Sequence, residues 1–143
     1  MLNTVEQRVV GVLIEKELTV PDSYPLTENT LLAGCNQKSN RDPEMELDSH
    51  EIHAALTSLR ASGWVTRVDS SGRAARFRHD VDTMLGLAPD EKRLLCELLI
   101  RGPQAPGALK PRIARMGANR IGSPEVLSSI PSGISTGLTE VSM

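Results

Sequence analysis

Thirty-two consecutive residues in the middle of the chain, DSHEIHAALTSLRASGWVTRVDSSGRAARFRH (48–79), restrict its fold more than any others. Asp48 stands three residues before Glu51, the reciprocal capping pattern of a helix start. Ile52, Ala55, Leu56 and Leu59 then recur at i, i+3, i+4 and i+7, which lines up one buried stripe. Gly63 follows where a left-handed residue can end the helix. Trp64 to Val68 reads as a strand, Asp69-Ser70-Ser71-Gly72 as a turn, and Arg73 to His79 as the returning strand. A helix that runs directly into a two-stranded hairpin must pack its stripe against something, and the residues before it supply that surface.

Two helices are expected upstream. Thr4-Val5-Glu6-Gln7 reads as a capping box, opening a helix over about 5–18 with Val5, Val9, Val12 and Leu13 on one face. Pro21 and Pro25 hold the next stretch extended. Thr27 caps a second helix over about 28–36, whose apolar face is Leu31, Leu32 and Cys35. Met45-Glu46-Leu47 reads as a short strand. Three helices and a hairpin, in that order, predict a mainly α fold with a small antiparallel β-hairpin: a winged helix-turn-helix over residues 1–80.

A second unit is expected from residue 82. Ala88-Pro89-Asp90-Glu91 is a helix start with proline and acids in the first turn. Leu94, Leu95, Leu98 and Leu99 follow, and Gly102-Pro103 stops the helix. Another short helix is expected from about Pro106, kinked at Pro111. This gives an incomplete second winged-helix-like helical unit over 82–116. Residues 117–143, rich in Ser and Gly and without a sustained period, read as an irregular tail.

Charge is distributed unevenly. Residues 1–59 carry 4 basic and 10 acidic side chains, whereas residues 60–79 carry five arginines against Asp69 alone. Arg60, Arg73, Arg76 and Arg78 therefore form the core of a phosphate footprint on an otherwise acidic body. On an alternating strand Arg76 and Arg78 share one face, with Ala75 and Phe77 on the other. The polar face of the third helix adds Ser49, His50, His53 and Thr57. It lacks the Arg or Lys that most often reads guanine, and Asp48 and Glu51 at its start repel phosphate. Aromatics are 2% of the chain, which argues against base stacking on single strands.

Enzyme chemistry finds little support. His50 and His53 are three apart, not the i, i+4 histidines of a zinc protease helix, and no further Cys or His pair stands nearby to complete a metal set. Glu15 and Glu17 flank Lys16 and point to different faces of a helix. No nucleophile elbow and no glycine-rich phosphate loop is present. The expectation is a non-catalytic protein with no cofactor and no metal. Cys35 and Cys96 fall on apolar helix faces, which suggests reduced thiols and a cytoplasmic setting. The N-terminus has no signal-peptide pattern, and no apolar run is long enough for a membrane span.

Several stretches together resemble a known family. These are VVGVLIEKELTVPDSYPLTENTLLAGCNQKSNRDPEMELD, ALTSLRASGWV, GRAARFRH and LLCELLIRGPQAPGAL. They are similar to the YceH-like proteins, a bacterial family with no assigned biochemical function, over about residues 4–116. The resemblance implies two tandem winged-helix domains. It implies no substrate, cofactor or catalytic residue. Members of that family continue to a complete second winged helix, whereas here SPEVLSSI resembles a remnant of its third helix and the tail reads as divergent or truncated.

Two functional classes remain open. The favoured one is binding of double-stranded DNA in a transcription-related role, and the alternative is a protein–protein interaction module, with a homodimer compatible with either. The segment CNQKSNRDP (35–43) bears on both. It spends many polar residues on a joint that needs only three or four. Asn36, Gln37, Ser39 and Asn40 can bond to their own backbone, while Lys38 and Arg41 are candidates for contact with phosphate if they face outward.

Overall fold

The computed structural model describes residues 1–102. Helix α1 (Thr4–Thr19) leads through a 3-10 turn at Pro21–Ser23 into strand β1 (Leu26–Thr27) and helix α2 (Glu28–Cys35). Helix α3 (Ser49–Ala61) follows, then β2 (Val65–Val68), β3 (Arg76–His79), α4 (Val81–Leu85) and α5 (Pro89–Arg101). The strands form one antiparallel sheet in the order β1-β3-β2. The chain is thus mainly helical with a small three-stranded sheet, compatible with a winged helix.

The start of α3 is capped as its sequence requires. The Asp48 carboxylate accepts from Glu51 N–H at 2.8 Å, and Glu51 accepts from Asp48 N–H at 3.1 Å. Thr27 caps α2, and Gly63 is left-handed with φ 87°. The α1 box is one residue earlier than its sequence suggests. Asn3, not Thr4, is the N-cap, and Glu6, not Gln7, reaches back to it. Asn caps as well as Thr, and this register places an acid at the positive end of the helix.

Two strand expectations are corrected. Residues 45–47 form no strand, because the Asn36 side-chain amide already satisfies Leu47, accepting from its N–H and donating to its carbonyl, both at 2.8 Å. The return strand begins at Arg76 rather than Arg73. β1 leaves no signal in the sequence, since two residues are too few for alternation to register.

One hydrophobic cluster joins these elements. It includes Val9, Val12 and Leu13 of α1, Leu31 and Cys35 of α2, Ile52, Leu56 and Leu59 of α3, and Val65 and Phe77 of the sheet. Leu95, Cys96, Leu99 and Ile100 of α5 belong to the same cluster. The approach of α5 to α1 is close at Gly11, where an added Cβ would lie 3.0 Å from both Leu99 Cβ and Ile100 Cγ1. Leu94 and Leu98 are also buried but lie outside this cluster. The helix expected from Pro106 and the tail over 117–143 lie outside the described residues. Among the described residues, no helix is long and apolar enough to cross a membrane.

Candidate nucleic-acid interface

The N-terminal turn of α2, the outer face of α3 and the hairpin enclose a groove of about 290 Å³. Leu56, Ala75 and Phe77 give it an apolar floor, Glu28, Arg60 and Arg67 bring charge to its walls, and His53 adds an imidazole. The hairpin register explains which arginines reach it. Arg67 pairs with Phe77 across the ladder, while Val68 pairs with Arg76 and Thr66 with Arg78. Cross-strand partners project from the same face of a sheet. Arg67 therefore shares the face that Phe77 turns toward the core, and Arg76 and Arg78 occupy the opposite face.

The expected contact residues separate accordingly. Arg60 and His53 line the groove. Arg73 is exposed at the hairpin turn, and His50 is exposed in the first turn of α3. Arg76 donates to the Pro25 carbonyl at 2.9 Å, and Arg78 lies 3.4 Å from Asp80. His53 Nδ1 is 3.1 Å from a Glu28 oxygen at the groove wall. Arg67, Thr57, Thr27 and Asn29 also line the groove. Arg67 counts in the basic segment of the sequence, but only its register with Phe77 sets it apart from the other hairpin arginines. Thr27 and Asn29 become neighbours of α3 only through the tertiary fold.

Lys38 and Arg41 are placed differently, and the expectation for Arg41 is corrected. Arg41 is 6% exposed. Its guanidinium donates to both Glu15 oxygens, at 2.9 and 2.6 Å, and to the carbonyls of Gly34 and Asn40. Four of its five N–H donors are thus engaged in the interior, and its charge is paired with Glu15 rather than turned out toward a phosphate. Lys38 is exposed but sits 3.9 Å from Glu44 and 3.6 Å from Glu46. None of residues 35–43 lines the groove.

The segment is instead a clasp. Arg8, buried within α1, donates to the carbonyls of Cys35, Pro43 and Ile100. Burial pushes its guanidinium pKa down, and neighbouring Arg41 pushes the same way. Asp42 N–H also donates to Ile100 O, and Arg101 donates to the Asn40 side chain at 2.7 Å. The polar residues thus bind the ends of α2 and α5 to α1, which explains the length of the joint.

A second polar cluster lies at the base of the hairpin. Glu17, His79 and Asp82 have ligand atoms within 4.8 Å of one another. The Lys92 ammonium sits among them, 2.6 Å from Glu17 and 2.9 Å from Asp82. It already supplies the positive charge that a metal would bring, so the cluster is an ion-pair network and not a metal centre. His79 Nδ1 accepts from Val81 N–H at 3.2 Å, so its proton resides on Nε2, which donates to Glu17 at 2.7 Å.

Comparison with known proteins gives a consistent family relationship. Residues 2–126 match the family described as "Protein of unknown function, DUF480". A UPF0502 protein of Koribacter versatilis is 48% identical over 116 residues, covering 81% of this chain and 54% of that protein. One from Geobacter sulfurreducens is 49% identical over 116 residues, covering 81% and 53%. One from Rhodopirellula baltica is 43% identical over 115 residues, covering 80% and 48%. The chain spans about half the length of these curated relatives.

Proposed function

We propose that this chain, which belongs to the DUF480 family of proteins of unknown function, is a non-catalytic winged-helix protein that binds double-stranded DNA in a transcription-related role. The observation that carries the reading is the arginine set Arg60, Arg67, Arg73, Arg76 and Arg78 around the hairpin. These side chains are exposed, while residues 1–59 carry a net charge of −6. Cations concentrated on one projecting element of an acidic body favour a polyanion at that element.

Part of the same proposal is the division into a first unit over 1–80 and a second, incomplete winged-helix unit over 82–116. Its support is that α5 is buried on two sides. Leu95, Cys96, Leu99 and Ile100 sit in the first core, and Leu94 and Leu98 are buried outside it. A cytoplasmic setting is proposed from the two free, buried thiols.

The test is binding of a fluorescent random-sequence duplex to the full chain. At physiological salt the expected affinity is on the order of micromolar or weaker, and it should tighten steeply as salt is lowered, linearly on logarithmic axes. A second reading, a protein-interaction module, is favoured by Glu28 in the groove wall and by the apolar floor of Leu56, Ala75 and Phe77. Absence of duplex binding at low salt would leave that reading in place.

A further inference from the structure

We infer that the β2–β3 hairpin, and not the face of α3 before Arg60, is the element that holds duplex DNA, gripping backbone phosphates from both of its faces and leaving the base sequence unread. This rests on the DNA-binding reading above and specifies how it would work.

Cations are placed to favour the hairpin. Strand register puts Arg67 on the groove face and Arg76 and Arg78 on the opposite face, with exposed Arg73 in the intervening turn. The hairpin thus presents positive charge on two sides and near its tip. Its turn is otherwise small: Ser70, Ser71, Gly72 and Ala74. Small residues let backbone and arginines approach a phosphate strand closely. Arg67 is held by Asp69 at 2.8 Å and Arg78 lies near Asp80 at 3.4 Å. Pairs this exposed are weak and can exchange for phosphate.

The composition of α3 points the same way. Its exposed positions before Arg60 are Ser49, His50, Glu51, His53, Ala54, Thr57 and Ser58. None is the Arg, Lys, Asn or Gln that forms bidentate contacts with base edges. The end of α3 that would lead into a major groove carries Asp48 and Glu51, and Glu28 stands beside His53 at 3.1 Å. Three carboxylates there oppose the phosphate walls that such an insertion must pass. The cation of α3, Arg60, lies at its other end, lining the same groove as Arg67. The positive surface is therefore continuous from the end of α3 onto the hairpin and fades toward the start of α3.

The clasp withholds further charge from α3. Arg41, the cation that would have extended the surface from the α2–α3 joint, is committed to Glu15. Lys38 is set between Glu44 and Glu46. The joint adds no free positive charge near the start of α3.

The experiment compares two full-chain variants with the wild type on a random-sequence duplex across a salt series. One is Arg67→Ser, Arg73→Ser and Arg76→Ser. The other is His50→Ala, His53→Ala and Thr57→Ala. All six positions are exposed, and circular dichroism checks that each variant folds. The hairpin variant should bind at least about tenfold more weakly at low salt, with a salt slope shallower by roughly 0.9 for each phosphate that it no longer neutralises. The α3 variant should stay within about twofold of wild type, as expected where no counterion-releasing cation is removed. Selection from random duplexes should enrich no motif. If the α3 variant loses as much affinity as the hairpin variant, or if a motif emerges and the bases are therefore read, the inference fails while DNA binding stands. If the wild type binds no duplex, DNA binding fails with it.

Discussion

Arg41 and Glu15 form a two-pronged ion pair, Nη1 to Oε2 at 2.9 Å and Nη2 to Oε1 at 2.6 Å, that ties the α2–α3 joint to α1. The Arg41 side chain is fully enclosed and that of Glu15 nearly so. Removing one partner of a buried pair leaves the other charge uncompensated, at a cost of about 3–5 kcal/mol. Arg41→Ala should therefore lower the urea-unfolding free energy by about 3 kcal/mol, toward the lower end because Glu15 retains some solvent. Arg41→Lys should not restore it, because an ammonium cannot reproduce the planar two-pronged contact. A loss below about 1 kcal/mol for Arg41→Ala, typical of surface pairs, would contradict the clasp.

Gly11 of α1 and Gly34 of α2 mark two helix contacts that leave no room for a Cβ on the glycine. A Cβ at Gly34 would lie 2.8 Å from Val12 Cγ1, and one at Gly11 would meet Leu99 and Ile100 of α5. Overpacking of this kind costs about 1–3 kcal/mol. Gly11→Ala and Gly34→Ala should each destabilise by that amount in denaturant titrations. Because the Gly34 conflict is with the Val12 side chain alone among nearby core groups, Val12→Ala should partly offset Gly34→Ala. A double-mutant cycle on Val12 and Gly34 reads that coupling directly.

Much of this architecture is legible in the sequence, and the exceptions have physical causes. The α3 helix announces itself because cap, stripe and terminal glycine all lie within a single local segment, from Asp48 to Gly63. The hairpin follows from period-two alternation and a turn rich in Ser and Gly. The burial of Arg41 is not legible, because its partner Glu15 is 26 residues away and nothing local distinguishes a clasping arginine from a phosphate-binding one. The groove is legible in half. Arg60 and His53 stand out on the polar face of α3, but Arg67 is separated from Arg76 and Arg78 only by register with Phe77. β1 escapes because a two-residue strand derives its pairing from β3 and not from its own pattern.

Cys35 and Cys96 should be inert in the native protein. Both are free and buried. Burial pushes the Cys35 thiol up to about 12, and it raises Cys96 well above its ordinary range. The thiolate is the reactive species, so neither should react with an aromatic disulfide reagent at neutral pH. Both should react promptly in denaturant. Rapid native modification of Cys96 would show that α5 opens away from α1, since its thiol donates to the Gly11 carbonyl at 3.5 Å.

His79 should make stability depend on pH in a defined window. It lies in the buried end of β3, with Tyr24 against its ring, Glu17 from α1, Asp82 from α4 and Lys92 from α5 around it. Burial pushes its pKa below 6.5, and the Glu17 carboxylate only partly opposes this. The unfolded chain therefore binds the proton more readily than the native one, so stability from His79 is present above about 6.5 and lost as pH falls. Burial would raise Glu17, but hydrogen bonds from Lys92 and His79 outweigh it and hold its pKa below 4.5. Its contribution is lost in turn as pH falls below about 4.5. Lys92 runs the other way. Burial would lower it, but its bonds to Glu17 and Asp82 raise it above 10.5, so its contribution disappears only in strong alkali. A plateau of stability between about 6.5 and 9 follows, closed on the alkaline side by the buried Cys35 and Cys96 thiols, which ionise more readily in the unfolded chain, and on the acid side by a first decline assigned to His79. Urea midpoints measured from pH 8 down to about pH 5 should show that decline in the wild type. His79→Gln, which keeps a donor toward Glu17 but cannot titrate, should flatten it; an unchanged slope in that variant would assign the titration to another group.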